Sequence, residues 1–284
     1  MNQRLKNKKA LITGGSRGIG KVIAEYFLKE GAKVMLAARS FEELKITKAE
    51  LKKNISVNQR KPASFIGIQE VDVADPEQVK NLIEKTVSSL GGIDILVNAA
   101  GIYGPIGPSH EVDLNEWKKT YEINLFGTFS IYQNVIPAMK KTGGKIINFS
   151  GGGDGPLPNF SAYNSSKAAV TRLTETLAEE VKEYNIDINV VAPGAVNTHF
   201  LDIALEAGEE KTGKERYQKL LEQKKSGGTP PEKTAELCVF LASSDSDGLT
   251  GKYLSSVWDK WKTWDKAKIA KIMKSDIFTL KRVK

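Results

Sequence analysis

One feature constrains this chain more than any other. Short apolar runs of strand character alternate with helical patterns along its length. KKALIT leads into GGSRGIG and the helical stretch IGKVIAEYFLKE, which stops at Gly31. KVMLAA, SFIGIQEVDV, IDILVN, KIINFS and IDINVVAP supply the next five strands. Between them the pattern predicts a polar helix over 41–53 and a helix opening at Asp75-Pro76, a cap residue followed by a first-turn proline. A long helix is predicted over 113–140, with Pro137 in its final turns, and another from Ser161 to Tyr184. Successive βα units imply an α/β fold: a doubly wound, mostly parallel sheet with helices on both faces and right-handed crossovers. No internal repeat or linker divides the chain, so a single domain is expected over 1–284. In such a sheet ligands bind beyond the carboxyl ends of the strands.

Composition excludes several alternatives. No apolar run approaches the ~20 residues that span a bilayer, and the N-terminal stretch lacks the apolar region and cleavage site of a secretory signal. The lone Cys238, in TAELCVFLA, rules out an internal disulfide framework and reads as a buried structural thiol. The expected location is cytoplasmic. The net charge is +8, but residues 259–284 hold nine Lys/Arg against three Asp/Glu, a surplus of six. With no zinc-finger or RNA-binding signature beside it, this is a solvated basic tail, and no nucleic-acid partner is expected.

The first strand runs into Thr13-Gly14-Gly15-Ser16-Arg17-Gly18-Ile19-Gly20. Glycines let a backbone turn sharply and approach a ligand. The following helix N-terminus offers unpaired N–H groups and a partial positive charge to a pyrophosphate. The second strand ends in Ala37-Ala38-Arg39-Ser40, where an NAD-preferring protein commonly has an acid. Arg39 is either a polar strand end or a partner for an adenosine 2′-phosphate, which Arg17 approaches from the other side. Two arginines without an acid favour NADP(H) over NAD(H). Asp72-Val73 either brackets the adenine or, through Asp72, caps a turn. The small residues of Asn98-Ala99-Ala100-Gly101, ending the fourth strand, permit close approach of a cofactor.

The fifth strand ends at Ser150, and the helix after it carries Tyr163 and Lys167, four residues apart on one face. An unperturbed tyrosine, with a pKa of ~10, is a poor acid–base catalyst at neutral pH. A neighbouring ammonium is expected to stabilise the phenolate and lower that value. Tyr163 then gives a proton to a carbonyl oxygen in reduction, or removes one from an alcohol in oxidation, while Ser150 holds the same oxygen. An isolated Y-x-x-x-K is usually an ordinary surface pair; its position beyond a serine at the ligand edge of the sheet gives it meaning.

With these residues in view, the chain resembles the short-chain dehydrogenase/reductase family, in its compact branch, over residues 7–256. The resemblance rests on T-G-x-x-x-G-x-G at 13–20, N-A-A-G at 98–101 (N-N-A-G in many members), and a serine 13 residues before Y-x-x-x-K. The extended sugar-nucleotide branch has T-G-x-x-G-x-x-G instead. The resemblance implies a Rossmann-type sheet with a seventh strand, and carbonyl/alcohol redox on a small molecule. By the same likeness, Pro193-Gly194 with Val196 and Thr198 flanks the nicotinamide. Asn124, in YEINLFG, holds a water that extends a proton relay from Lys167, which also binds the nicotinamide ribose. Without the family, Asn124 reads as an internal polar residue satisfied by backbone. The resemblance also makes residues 195–228 a mobile lid and suggests a homodimer or homotetramer. Within that lid His199 is expected to face solvent, and His110 has no special role.

The substrate wall is expected from the loop around His110, from GGGDGPLPNF (151–160, including Asp154, Leu157, Asn159 and Phe160), and from the lid. The C-terminal extension, 257–284, departs from the family. Trp258, Trp261 and Trp264, followed by Ile269 and Ile272, suggest one helical stripe. It packs on its own or a neighbouring subunit, lines the substrate pocket, or binds a membrane or another polyanion through its basic face. The leading expectation is an NADP(H)-dependent carbonyl/alcohol oxidoreductase. A 3-oxoacyl-thioester reductase of the same family and a non-catalytic NADP(H)-binding sensor are the alternatives.

Overall fold

The computed structural model describes residues 3–59, 65–151 and 155–281. Seven strands form one sheet: β1 (Lys9–Thr13), β2 (Lys33–Ala38), β3 (Ile66–Glu70), β4 (Ile95–Asn98), β5 (Gly144–Phe149), β6 (Ile186–Ala192) and β7 (Tyr253–Ser255). Every pairing is parallel, in the order β3-β2-β1-β4-β5-β6-β7. The order reverses direction between β1 and β4, and this switch point opens a crevice at the carboxyl ends. Thr13 pairs with Ala37 and Asn98, and Asn98 with Asn148. The strand ends that carry the polar residues are therefore neighbours in space.

The helices are α1 (Gly18–Lys29), α2 (Phe41–Gln59), α3 (Pro76–Leu90), α4 (Leu114–Tyr121), α5 (Gly127–Met139) and α6 (Ser161–Glu180). After β6 come α7 (His199–Glu206), α8 (Gly208–Thr212), α9 (Lys214–Ser226), α10 (Pro231–Ala242) and α11 (Lys266–Met273). Strand side chains alternate between two cores. Ile12, Leu36, Val97 and Ile147 join Ile23 and Phe27 of α1 and Leu237 and Phe240 of α10 on one face. Leu11, Met35, Leu96 and Ile146 join Leu82 of α3, Val135 of α5 and Leu177 of α6 on the other. That two-sided burial explains why these strands read as unbroken apolar runs.

Three expectations change. The third strand is shorter than SFIGIQEVDV, because Asp72 ends it by accepting the Ala74 N–H at 3.0 Å in a turn. The helix predicted over 113–140 contains a π-helical turn, Glu122–Phe126, between α4 and α5. The extra residue lies at Asn124, whose side chain clamps the backbone of Ile102 with bonds of 2.9 and 3.0 Å; such bulges recur at functional sites. The tryptophan stripe is not one helix. Trp261 sits in a 3-10 turn and Trp264 is extended, so only Lys266–Met273 is regular.

The extension still packs on its own chain. Trp261, Ile269 and Ile272 are buried in the α1/α10 core, where Phe240 meets Trp261 at 5.7 Å. Beyond α11 the chain folds back beside β7. Lys252 Nζ donates to the carbonyls of Ser275 and Ile277 at 2.9 and 3.2 Å, and the Tyr253 N–H donates to Phe278 at 2.8 Å. Residues 282–284, Asp154 and the glycines at 152 and 153 lie outside the described residues. Among the described residues, no helix is long and apolar enough to cross a membrane.

Candidate active site

The turn after β1 has the geometry its glycines require. Gly14 and Gly18 lie at φ +63° and +55°, in the left-handed region that disfavours a side chain. A Cβ on Gly14 would come 2.7 Å from the backbone of Ala99, across the switch point, and one on Gly20 would strike the Gly14 carbonyl. Arg17 caps α1 in an extended conformation without a side-chain bond, which leaves the first-turn N–H groups available to an anion.

A groove of about 580 Å³ runs along this turn. Gly14, Ser16, Arg17, Gly18, Ile19, Gly20, Arg39, Ser40, Asp72, Val73, Ala99, Ala100, Gly101 and Thr198 all line it. Asp72 both caps its turn and borders the groove, so its two readings are compatible. Asn98 does not line it. Its side chain is buried beneath, donating to Asn148 at 3.0 Å, and Asn148 in turn donates to Tyr132 and to Thr174. The Asn98 side chain belongs to a buried polar network under the strand ends.

The premise that no acid stands near the second strand's end also needs correction. Glu43, in the first turn of α2, lines the same groove. It accepts from Ser16 Oγ at 2.9 Å and lies 3.6 Å from Arg17. Its place on a helix after the strand end hid it from a reading that looked for an acid on the strand itself. Arg39 makes no ion pair among the described residues. His199, expected to face solvent, is exposed but borders the groove beside Asn197 and Lys224 of the lid.

A second cavity, of about 1040 Å³, meets the groove along Ile19, Ala99, Gly101, Thr198, Phe200 and Leu201. Ser150, Tyr163 and Lys167 line it together, with Pro193, Gly194 and Val196 along its wall. All three candidate catalytic side chains are nearly buried, at 7%, 7% and 6% exposure. Gly151 abuts the Tyr163 hydroxyl so closely that any Cβ there would collide with it. A Cβ on Gly101 would lie 3.1 Å from Asn124 Oδ1 and 3.5 Å from Lys167 Nζ, so this glycine lets those groups converge. Asn124 is fully buried and is satisfied by Ile102 and by Ser166 Oγ at 3.0 Å.

The lid forms one wall of this cavity. An antiparallel bridge, Val196 to Gly228, pins its base, and the Thr229 N–H donates to Ala195 at 2.8 Å. Its underside forms a small apolar cluster in which Leu201, Ala204 and Leu220 pack with Phe160 and Tyr163. Tyr103 stacks on Phe200 and meets Tyr163 edge-on, both at 4.6 Å. The extension contributes Trp258, Phe278, Leu280 and Lys281 to the same wall, so it serves the core and the cavity of its own chain.

This enclosure overturns the expectation that Lys167 lowers the phenol's pKa. Burial raises Tyr163 well above the ordinary tyrosine range, Tyr103 and Tyr253 push the same way, and the opposing charge is Arg216. Burial also lowers Lys167, to about 8. Desolvation disfavours each charged form and is the leading cause of both shifts.

A parallel sheet with a glycine turn at its switch point and a buried tyrosine–lysine pair beyond β5 defines a dinucleotide-binding oxidoreductase fold. The short chain dehydrogenase family matches residues 8–207, and the chain belongs to that family. It is 32% identical to the uncharacterized oxidoreductase YxbG of Bacillus subtilis over 256 residues, covering 89% of this chain and 90% of that one. It is 33% identical to dehydrogenase/reductase SDR family member 4 of Sus scrofa over 250 residues, 87% and 85% of the two chains. Among solved structures, a 7α-hydroxysteroid dehydrogenase complexed with NADH and 7-oxo glycochenodeoxycholic acid superposes with a TM-score of 0.76 at 30% identity. That match covers 89% of this chain and 94% of the other. The chain is thus an oxidoreductase of a family that binds a nicotinamide dinucleotide and interconverts carbonyls and alcohols.

Proposed function

We propose that the protein is an NADP(H)-dependent carbonyl reductase, with Tyr163 as the proton donor. The observation that supports this most is the continuity of the two cavities, which brings the glycine-turn groove to Ser150, Tyr163 and Lys167. The Gly14 cradle, the uncapped α1 N-terminus and the small residues Ala99, Ala100 and Gly101 suit a dinucleotide's pyrophosphate and nicotinamide. When bound, that group supplies the hydride.

The protein's own side chains supply position and a proton. Ser150 Oγ has no side-chain partner among the described residues, so it is available to hydrogen-bond a substrate carbonyl oxygen. Tyr163, kept neutral by burial, donates its proton to that oxygen. Lys167 stands behind it as the next proton source, and Asn124, held by Ile102, keeps the relay's helix in register. The lid, packed on Phe160 and Tyr163, shields the reacting atoms on one side.

The NADP(H) preference rests on Arg39, which is free of ion pairs among the described residues, and on Arg17 beside it. Glu43 holds Arg17, so a 2′-phosphate competes with that carboxylate for one of its two cations. The test is a parallel NADPH- and NADH-oxidation assay across ketones and aldehydes. The expected outcome is carbonyl-dependent oxidation with a higher kcat/KM for NADPH. Cofactor binding without turnover of any carbonyl refutes the reductase reading, and an NADH preference refutes the cofactor assignment.

A further inference from the structure

The substrate cavity contains a cation that the reaction does not use. Helix α9 is polar on its outer side, but Arg216, Leu220 and Gln223 all line the cavity. Spacings of four and seven residues place them on one helical stripe. Leu220 is buried in the lid cluster, as an inward position demands. One turn before it, the inward position is an arginine. Its Nε is buried and has no hydrogen-bond partner.

No carboxylate among the described residues pairs with this guanidinium. Two of the neighbouring acids on the lid are engaged elsewhere. Glu215 pairs with Lys219 at 2.6 Å, and Glu209 faces Gln218 at 3.4 Å. Apart from Lys167, which belongs to the proposed proton relay, the other charges of the wall are also committed. Asp259 accepts the Ser255 N–H at 2.7 Å, and Lys281 pairs with Asp276 at 2.6 Å. Arg216 meets the Tyr103 hydroxyl, and Tyr103 in turn touches the Tyr163 ring. Tyr103 therefore bridges the cation and the candidate proton donor. A half-buried guanidinium whose Nε–H is sealed from solvent without a partner is stabilised by a planar oxyanion, which accepts two parallel hydrogen bonds from its fork. Tyr103 and Phe200 give the same wall an aromatic face.

We propose that the substrate is a carbonyl compound bearing a carboxylate, with Arg216 binding the carboxylate and the aromatic wall covering the body between it and the reacting carbonyl. This deepens the carbonyl-reductase reading and rests on it. Lid helix α9 then reports substrate charge directly. An anion seated on Arg216 satisfies the buried Nε–H, whereas a neutral analogue leaves it unmatched.

The test uses matched pairs: 3-acetylbenzoate, 4-acetylbenzoate and 5-oxohexanoate, each against its methyl ester, with NADPH and the full-length protein. For at least one pair, kcat/KM for the acid should exceed that for the ester by about tenfold or more, the effect of one charge-assisted contact. Arg216→Leu should bring that ratio to about one, mainly through KM, and Arg216→Lys should keep part of it. Esters reduced as well as or better than acids in every pair overturn the proposal and leave the reductase reading standing. So does a ratio unmoved in both variants. If neither member of any pair is reduced, nor any other ketone or aldehyde, the reductase reading falls and takes the proposal with it.

Discussion

The two halves of the site are built on different principles. The cofactor half, β1 to β4, is mostly backbone: a glycine turn, an uncapped helix end and small residues at a switch point. The substrate half, from α7 to α9 and the C-terminal extension, is mostly side chains brought from distant parts of the chain. The first half recognises a ligand through groups every residue carries, so its requirement is the absence of side chains. The second needs particular side chains in particular places. The cofactor half is therefore shared across a family, while the substrate half distinguishes one protein from another.

Several substitutions would break or sharpen this contrast. The largest expected effect joins the halves. Tyr163→Phe removes the proton donor and should lower kcat by about 10²–10⁴-fold, with NADPH affinity, measured by fluorescence titration, nearly unchanged. Near-normal turnover would refute the assigned role. The next effect is on stability. Ile272, fully buried in the α1/α10 core, should cost about 2–5 kcal/mol when changed to Ala, read by urea denaturation. A stable variant would mean the extension is not part of the core.

Arg39→Asp should shift the NADPH/NADH ratio of kcat/KM toward NADH by about 10–100-fold, from the lost charge-assisted contact and the new repulsion. Glu43→Gln should move it the other way by about threefold, releasing an exposed ion pair. An unmoved ratio in both would place the discrimination elsewhere.

A smaller effect concerns pH. Lys167, lowered to about 8, is an ammonium below that value and neutral above it. Tyr163, raised, stays protonated throughout the accessible range. The reduction rate should therefore fall as pH rises through about 8, when the relay behind Tyr163 loses its proton; a profile flat well beyond that point excludes Lys167 as the titrating group. The smallest effect is at Trp258, which lines the cavity yet is 83% exposed. Trp258→Ala should change KM by only about two- to threefold and leave the melting temperature in place, since little apolar area is buried there.

The legibility of these features follows the same division. Thr13 to Gly20 announced the phosphate turn because conformations of positive φ and close backbone approach are open almost only to glycine. Ser150, Tyr163 and Lys167 were legible because their spacing is set by one strand end and one helix face. Glu43 was missed because its approach to Ser16 and Arg17 depends on how α2 leaves β2. The direction of the Asn98 side chain was not legible, because a strand residue ending at the crevice can point under it as well as into it. The extension's stripe was read as one helix, but burial of Trp261 on Phe240 and the return of residues 275–280 along β7 break it into separate pieces.

The sequence by itself determined the parallel α/β order and the glycine turn, and it singled out the candidate catalytic side chains, because each follows from local periodicity or from chemistry carried within a short segment. Only the tertiary structure decided the protonation of Tyr163 and Lys167, the company Glu43 keeps and the inward aim of Arg216. Those depend on desolvation and on contacts between segments far apart in the chain, which no local pattern encodes.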